Sequence, residues 1–459
     1  MSGESYDGPA QPAKKRRAIG DGDNYDSILS LNANHAVVLA GDKTVILKEM
    51  VDSEGKPDVR WLSVDAFQQF HWNQWISLGG ERASIAKLWL AHPERRTYCG
   101  ITFSPEPHSA DYYLEHPQAH HGEYYNLWSG FAVNPAPGDC SLFLDHVRAN
   151  VCNGNEDLFA WVMGWFADIF QHPASKSGTA LVLRGGQGVG KTKVGEVMGS
   201  LLGRHHALVD DPRYLVGQFN SHMEALLLLQ ADEGFWAGDR AAEGRLKGMV
   251  TSDAHFVERK GVDAYRVRNY VRLLITSNSS WVVPAGLDER RFAVLDVAEY
   301  AKQNHEYFAA LDRQMNEGGR EALLHYLLNF DLGKVNVRRV PETIALSEQV
   351  VATLHGVEAW WFECLQNGSI ASDSDEWPIE ITTRAVFNSY LRHAEAIGVR
   401  HRSLSTLVGM QLRKMIPGGL RKVRGAAENG SRPYVYRLPP LEECRIYFSE
   451  VFGRPFEWE

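Results

Sequence analysis

The chain has 459 residues, 44% hydrophobic and 23% charged, with a net charge of -9. That length exceeds one small core and points to two or three domains, and the composition is that of a globular protein rather than a disordered one. No apolar run reaches membrane-spanning length and no signal-peptide core opens the chain, so membrane and secretory classes are set aside. The cysteines Cys99, Cys140, Cys152, Cys364 and Cys444 are scattered and form no CxxC pair. This points to a reducing compartment and away from a disulfide framework or a thiolate zinc site.

Residues 1–27 are rich in Gly, Ser, Asp and Pro and are expected to form a disordered tail. Their basic run, Lys14 to Arg17, reads as a solvated tail, with a nuclear address or a DNA-grasping arm as functional alternatives. An accessory region follows over 28–138 and opens with AVVLAGDKTVILKEM. Two β-type runs around a Gly-Asp turn predict a hairpin there. His116, His120 and His121 have no further ligand at metal spacing and read as loop or packing residues. Tyr124, Tyr125, Trp128 and Trp165 read as core rather than as a base-stacking platform. Residues 139–175 are expected to form a helical collar, because Cys140 to Gln171 carries apolar positions at helical spacing, broken at NGNED.

From Thr179 to about Val297, apolar runs alternate with helical stretches, the pattern of a parallel α/β sheet, in a domain bounded at 176–335. Its first strand leads into LVLRGGQGVGKTK, Leu181 to Lys193, where GxxxxGK[ST] is met by Gly185, Gly190, Lys191 and Thr192. Glycines let the backbone bend until successive N–H groups point inward at phosphate oxygens, and the following helix adds its positive end. Gly185, Gly186, Gln187, Gly188, Val189, Gly190, Lys191, Thr192 and Lys193 are therefore the expected ATP-binding segment. Lys191 is expected on the β- and γ-phosphates and the Thr192 hydroxyl on Mg²⁺.

A second run, ALLLLQADE, is apolar until two terminal carboxylates, as suits a strand buried on both faces whose C-terminal end meets the ligand. Asp232 can hold the Mg²⁺ shell, and Glu233 can polarise the attacking water as general base. A third run, YVRLLITSN, ends in Asn278, an amide able to sense the γ-phosphate, or else a turn residue. Arg290 and Arg291 follow a loop and precede the strand FAVLDV. They suit an arginine finger completing a neighbour's site, with surface ion pairing as the alternative.

Together, LVLRGGQGVGKTK, LLLLQADEGFWAGDRAAEGRLKGMVTSD and VERKGVDAYRVRNYVRLLITSNSSWVVPAGLDERRFAVLDV resemble superfamily 3 helicases, and more closely the helicase domain of phage and mobile-element primase-helicases. The motifs cover Ser177 to Val297, with weaker likeness from about Leu31 to the C-terminus. The resemblance implies an α/β fold: a P-loop, AAA+-like motor with a parallel sheet, preceded by a mixed N-terminal region and helical collar and followed by a winged-helix domain. It implies an ATP- and Mg²⁺-dependent homo-hexamer or other ring on single-stranded and forked DNA, in a bacterial host cytoplasm, with a separate primase or polymerase as a possible partner. In such motors a β-hairpin between the second and third motifs projects into the pore. Here that places Lys260 and Arg259, near Arg266 and Arg268, on the DNA backbone, an ordinary charged hairpin being the alternative. The resemblance favours Arg291 over Arg290 as the finger acting in trans. One departure stands out: no paired-carboxylate primase motif precedes the motor, so the expectation is unwinding without primer synthesis by this chain.

The segment 341–459 reads as helix (TTRAVFNSYLRHAEAIG), helix (SLSTLVGMQLRKMIP), then two β runs around a basic loop, the order of a winged helix. Arg413, Lys414, Arg421, Lys422, Arg424 and Arg432 cluster there with few carboxylates, which points to DNA phosphate, or to a protein-contacting brace. The function expected is an ATP-dependent DNA helicase in phage, plasmid or mobile-element replication. The alternatives are an origin-binding initiator and a DNA-remodelling ATPase without processive unwinding.

Overall fold

The protein is represented by a computed structural model. It describes residues 22–40, 42–51, 57–78, 81–105, 124–211, 213–214, 217, 220–232, 240–259, 262–283, 285, 289–370, 376–398, 402–426 and 432–458. Lys14 to Arg17, His116, His120 and His121 lie outside these residues, as do Glu233 and Lys260. The chain divides into two compact units, one comprising Met1–Thr102 and His116–Leu127, the other Phe103–Glu115 and Trp128–Glu459.

In the first unit, β1 (His35–Ala40), β2 (Lys43–Val51) and β3 (Pro57–Ser63) form an antiparallel meander; the β1–β2 hairpin is where the apolar alternation places it. β4 (Trp75–Leu78) and β5 (Glu81–Ser84) make a second hairpin, β6 (Thr97–Tyr98) adds in parallel to β1, and β7 (Gly100–Thr102) pairs with β8 (Tyr124–Asn126). Side chains alternate across a strand. Val37 accordingly joins Phe67, Ile85 and Trp89 on one face, while Ala36 and Val38 pack with Leu47 and Tyr98 on the other.

The second unit is centred on five parallel strands: β9 (Ala180–Arg184), β10 (His206–Val209), β11 (Leu228–Asp232), β14 (Arg272–Ser277) and β15 (Phe292–Asp296). Their order is β10-β11-β14-β9-β15. β9 and β14 are buried throughout, which explains their unbroken apolar runs. β12 (Ala254–Arg259) and β13 (Val262–Arg268) form a separate antiparallel hairpin between β11 and β14 in the sequence.

The expected collar is a helical hairpin. Helix Ser141–Asp145 runs into a π-helical turn, His146–Val151; Asn153 and Gly154 then adopt positive φ, and Asn155 caps the buried helix Glu156–Gln171. Trp165 and Trp128 are buried as the sequence implied, but Tyr124 is 52% exposed and is not a core residue. β8, which carries Tyr124, has only three residues, and Tyr124 and Tyr125 point to opposite faces of it.

Toward the C-terminus, β16 (Glu380–Thr382), β18 (Tyr434–Arg437) and β17 (Arg421–Arg424) form an antiparallel sheet in that order, beside helices Thr383–Ala396, Ser405–Lys414 and Leu441–Phe452. This segment shares the core of the parallel sheet: Val294, Val350, Trp361 and Phe448 belong to one apolar cluster.

Candidate nucleotide site

The site forms where the parallel strands end. At the close of β9, the Arg184 guanidinium donates to both Asp296 carboxylate oxygens, at 2.5 and 2.6 Å, and to the Ser280 carbonyl at 2.9 Å, and it pairs with Glu348. These bonds fix the ends of β9 and β15 and hold the Arg184 pKa above its usual range, Asp296 being the largest cause. The chain then turns through Gly185–Gly190 and enters helix Lys191–Leu202. Gly188 and Gly190 have φ of +77° and +92°, a left-handed region where glycine is favoured. At Gly190 a Cβ would also lie 2.6 Å from His146 Cε1 and 2.8 Å from the Phe308 ring, so the turn has no room for a side chain.

Lys191 is 5% exposed, and its ammonium donates to the carbonyls of Gly185 (2.9 Å) and Gly186 (2.7 Å) and to Asn278 Oδ1 (2.7 Å). Three donors meet three acceptors. The Thr192 hydroxyl donates to Asp232 Oδ2 at 3.0 Å, and the Thr276 hydroxyl donates to Asp232 Oδ1 at 2.5 Å. Gln230 Nε2 donates to the Thr192 carbonyl at 3.1 Å and ties the helix start to β11. Lys191, Thr192, Asp232 and Asn278, drawn from three strand ends, therefore sit together. Lys193 differs: its ammonium pairs with Glu196 (2.9 Å) and Asp312 (3.2 Å). Gln187 and Gly188 are exposed and Val189 is buried.

Two further groups hold the loop. Asn150 Nδ2 donates to the Val189 carbonyl at 2.6 Å, and His146 Nε2 lies 3.2 Å from the Gly190 carbonyl. His146 Nδ1 meets the Tyr307 hydroxyl at 3.1 Å. Donation from Nε2 leaves Nδ1 to accept from Tyr307, the neutral tautomer, in keeping with a His146 pKa lowered first by burial. Both side chains are fully buried in the π-helical turn. Sequence reasoning missed them; the available signal was two polar residues inside an otherwise apolar helical pattern.

Arg290 and Arg291 lie at the opposite end of the sheet. The Arg291 carbonyl accepts from Ala180 N at 2.6 Å, at the start of β9. The glycine loop begins at Gly185, five strand steps further on, about 17 Å at ~3.3 Å per residue. Arg291 is 26% exposed at its side chain and 3.6 Å from the buried Glu289 carboxylate, whereas Arg290 is exposed.

Arg259 closes β12. Arg413, Lys414, Arg421, Lys422, Arg424 and Arg432 are all exposed, and Lys422 and Arg424 flank the Tyr434 ring at 4.3 and 3.9 Å. Among the described residues, no group of three or more His, Cys, Asp or Glu is arranged to hold a metal, and no helix is long and apolar enough to cross a membrane.

Residues 183–291 match a family of unknown function (DUF5906). The chain is 25% identical over 252 residues to the DNA primase-polymerase of Nitratiruptor phage NrS-1, a match covering 50% of this chain and 34% of that protein. It thus spans about a third of that relative's length. An apo structure of the NrS-1 C-terminal region superposes with a TM-score of 0.61 at 16% identity, covering 92% of this chain and 100% of that one. A second apo form gives 0.62 at 15% identity, over 91% and 99%. The mixed α/β architecture around the parallel sheet is the one these structures share.

Proposed function

We propose that the chain is an ATP-dependent, ring-forming DNA helicase of superfamily 3 type, acting in phage or mobile-element DNA replication. The observation that carries this reading is the meeting of Lys191, Thr192, Asp232 and Asn278 at the C-terminal ends of β9, β11 and β14. The match to a phage primase-polymerase supports the replication setting. Glycine-built backbone and a buried ammonium fit a triphosphate, and the Thr192 and Asp232 oxygens fit Mg²⁺, a hard cation that takes oxygen ligands. Bound there, Mg²⁺ would neutralise charge on the phosphates.

Within this reading Lys191 exchanges its carbonyl acceptors for phosphate oxygens. Asp232 orients the Thr192 hydroxyl, and Glu233, next in the chain, takes the proton of the attacking water. Asn278 joins the γ-phosphate to the Lys191 position. Arg290 and Arg291, too far along the sheet to serve their own P-loop, act on the adjacent subunit; Arg290, being exposed, is the freer of the two. The C-terminal helices and sheet act as a winged helix, and Lys260, between β12 and β13 in the sequence, grips the translocated strand. The exposed cations of β17 and Lys414 also favour a second reading, an origin-binding initiator.

The test is Mg²⁺-dependent ATP hydrolysis by the full chain, with and without single-stranded DNA, beside its mass in solution. DNA-stimulated turnover in a ring-sized particle supports the proposal; a single-chain particle with no stimulation contradicts it.

A further inference from the structure

The hairpin β12–β13 carries chemistry that its tip does not account for. Directly opposed residues in an antiparallel pair share a face. Ala254 opposes Arg268 and Phe256 opposes Arg266, so one face presents an aromatic ring beside two guanidinium groups. Phe256 is 63% exposed, and both arginines are exposed.

At the foot of the hairpin lies a cavity of about 690 Å³, lined by Arg266, Arg268, Lys176 and Arg338 among others, with Asp253 its one carboxylate. Lys176 donates to the carbonyls of Met249 (2.7 Å) and Ser252 (3.2 Å), which leaves one of the three ammonium donors for a cavity acceptor. The fully buried Arg272 stands close behind. Its charge, after burial itself, helps to push the Lys176 pKa down to about 7, with Asp253 acting against both. Among the described residues no ion pair engages Arg266, Arg268 or Arg338. The cavity therefore holds a surplus of positive charge.

We infer that this face is a second anchor for single-stranded DNA: the cavity at the hairpin foot takes backbone phosphate on Arg266, Arg268, Arg338 and Lys176, and Phe256 stacks on an unpaired base. The chemistry selects a single strand. A cationic groove alone accepts any polyanion, but an exposed aromatic beside it offers stacking that only an unpaired base can use. The foot, at Arg268, lies about 20 Å from the start of β13 at Val262, six steps at ~3.3 Å each, so the anchor is distinct from the contact proposed for Lys260. It rests on the helicase reading, which it deepens by assigning a second contact to the translocated strand.

The experiment is a salt titration of binding to a fluorescent oligothymidylate, without nucleotide, using the full chain. Arg266→Ala/Arg268→Ala should flatten the slope of log affinity against log salt by about 1.4, roughly 0.7 per phosphate contact on a single strand. Phe256→Ala should weaken oligothymidylate binding by roughly tenfold and leave the slope intact, and Phe256→Tyr should restore it. Melting curves would establish that each variant is folded. An unchanged slope in the arginine variant, or unchanged affinity in folded Phe256→Ala, overturns the proposal. So does displacement of the oligonucleotide by inorganic phosphate at constant ionic strength, which would assign the cavity to a small anion. The outcome is separable from the motor reading. A wild-type chain that hydrolyses ATP while these variants bind normally removes the anchor alone, and an inactive chain whose variants lose binding as described removes the motor alone.

Discussion

Lys191 Nζ donates to Asn278 Oδ1 at 2.7 Å, joining the end of the glycine loop to the end of a strand 87 residues away. Under the proposed function, this ammonium, held by two backbone carbonyls and one amide, is already ordered before a phosphate arrives. Binding then substitutes one set of oxygen acceptors for another, and the side chain loses little further freedom on binding.

The two partners should fail differently. Lys191→Ala is expected to remove hydrolysis, by about 100-fold or more, and to weaken nucleotide binding. Asn278→Ala should keep nucleotide affinity within a few-fold while kcat falls by about tenfold or more, because a group that meets the reacting phosphate acts chiefly in the transition state. Steady-state kcat and KM, with direct binding of a fluorescent nucleotide, would check this. A raised KM with unchanged kcat in Asn278→Ala would reduce that residue to ground-state binding.

Asn150 holds the loop from outside the motif. Asn150→Leu keeps much of the volume but leaves the buried Val189 carbonyl without its 2.6 Å donor. Denaturant unfolding should show a loss of about 1–3 kcal/mol, and KM for ATP should rise more than kcat falls. Asn150→Asp, nearly the same shape but no donor, should be no better. Wild-type behaviour in both variants would show that the loop keeps its shape without the clamp.

Much of this site was legible in the chain. A wholly apolar run, a glycine turn and Lys-Thr at fixed spacing define β9, the loop and the helix. Asp232 and Asn278 were readable because a polar residue ending a buried strand is conspicuous. His146 and Asn150 were not, because their partners, the carbonyls of Gly190 and Val189, lie 44 and 39 residues away and no local pattern marks a side chain that serves a distant backbone. The exposure of Tyr124 and the core shared between the sheet and Trp361 or Phe448 escaped for the same reason: both depend on which elements meet.

Acid should weaken the second unit through His205. This ring is fully buried, Nδ1 donating to the Ala225 carbonyl at 2.8 Å and Nε2 accepting from Ser129 N at 3.2 Å, so the fold holds it neutral. Burial lowers its pKa from 6.5 to about 3. The unfolded chain therefore takes up a proton below about pH 6.5 that the folded chain refuses. Stability contributed by the neutral ring is complete above that value and is lost as pH falls from there toward about 3, at up to about 1.4 kcal/mol per pH unit. Urea unfolding between about pH 7 and pH 5 should show a steeper loss in wild type than in His205→Gln. Parallel profiles would remove His205 from the account.

Under the proposed function, Arg290 and Arg291, which lie at the far end of β9 from the glycine loop of their own chain, complete a neighbour's site. Mixtures of Lys191→Ala subunits with Arg290→Ala/Arg291→Ala subunits should regain part of the ATPase that neither has alone, because some junctions pair an intact loop with an intact arginine. If no mixing ratio restores turnover, each site is complete within its own chain.

The central claim is that nucleotide turnover at the Lys191–Thr192–Asp232–Asn278 cluster drives strand separation, and forked-duplex unwinding tests it most directly. Wild type with ATP and Mg²⁺ should release the labelled strand, while wild type without ATP and Lys191→Ala with it should not. Release of the strand by Lys191→Ala at the wild-type rate, or an intact fork beside vigorous wild-type hydrolysis, would contradict it.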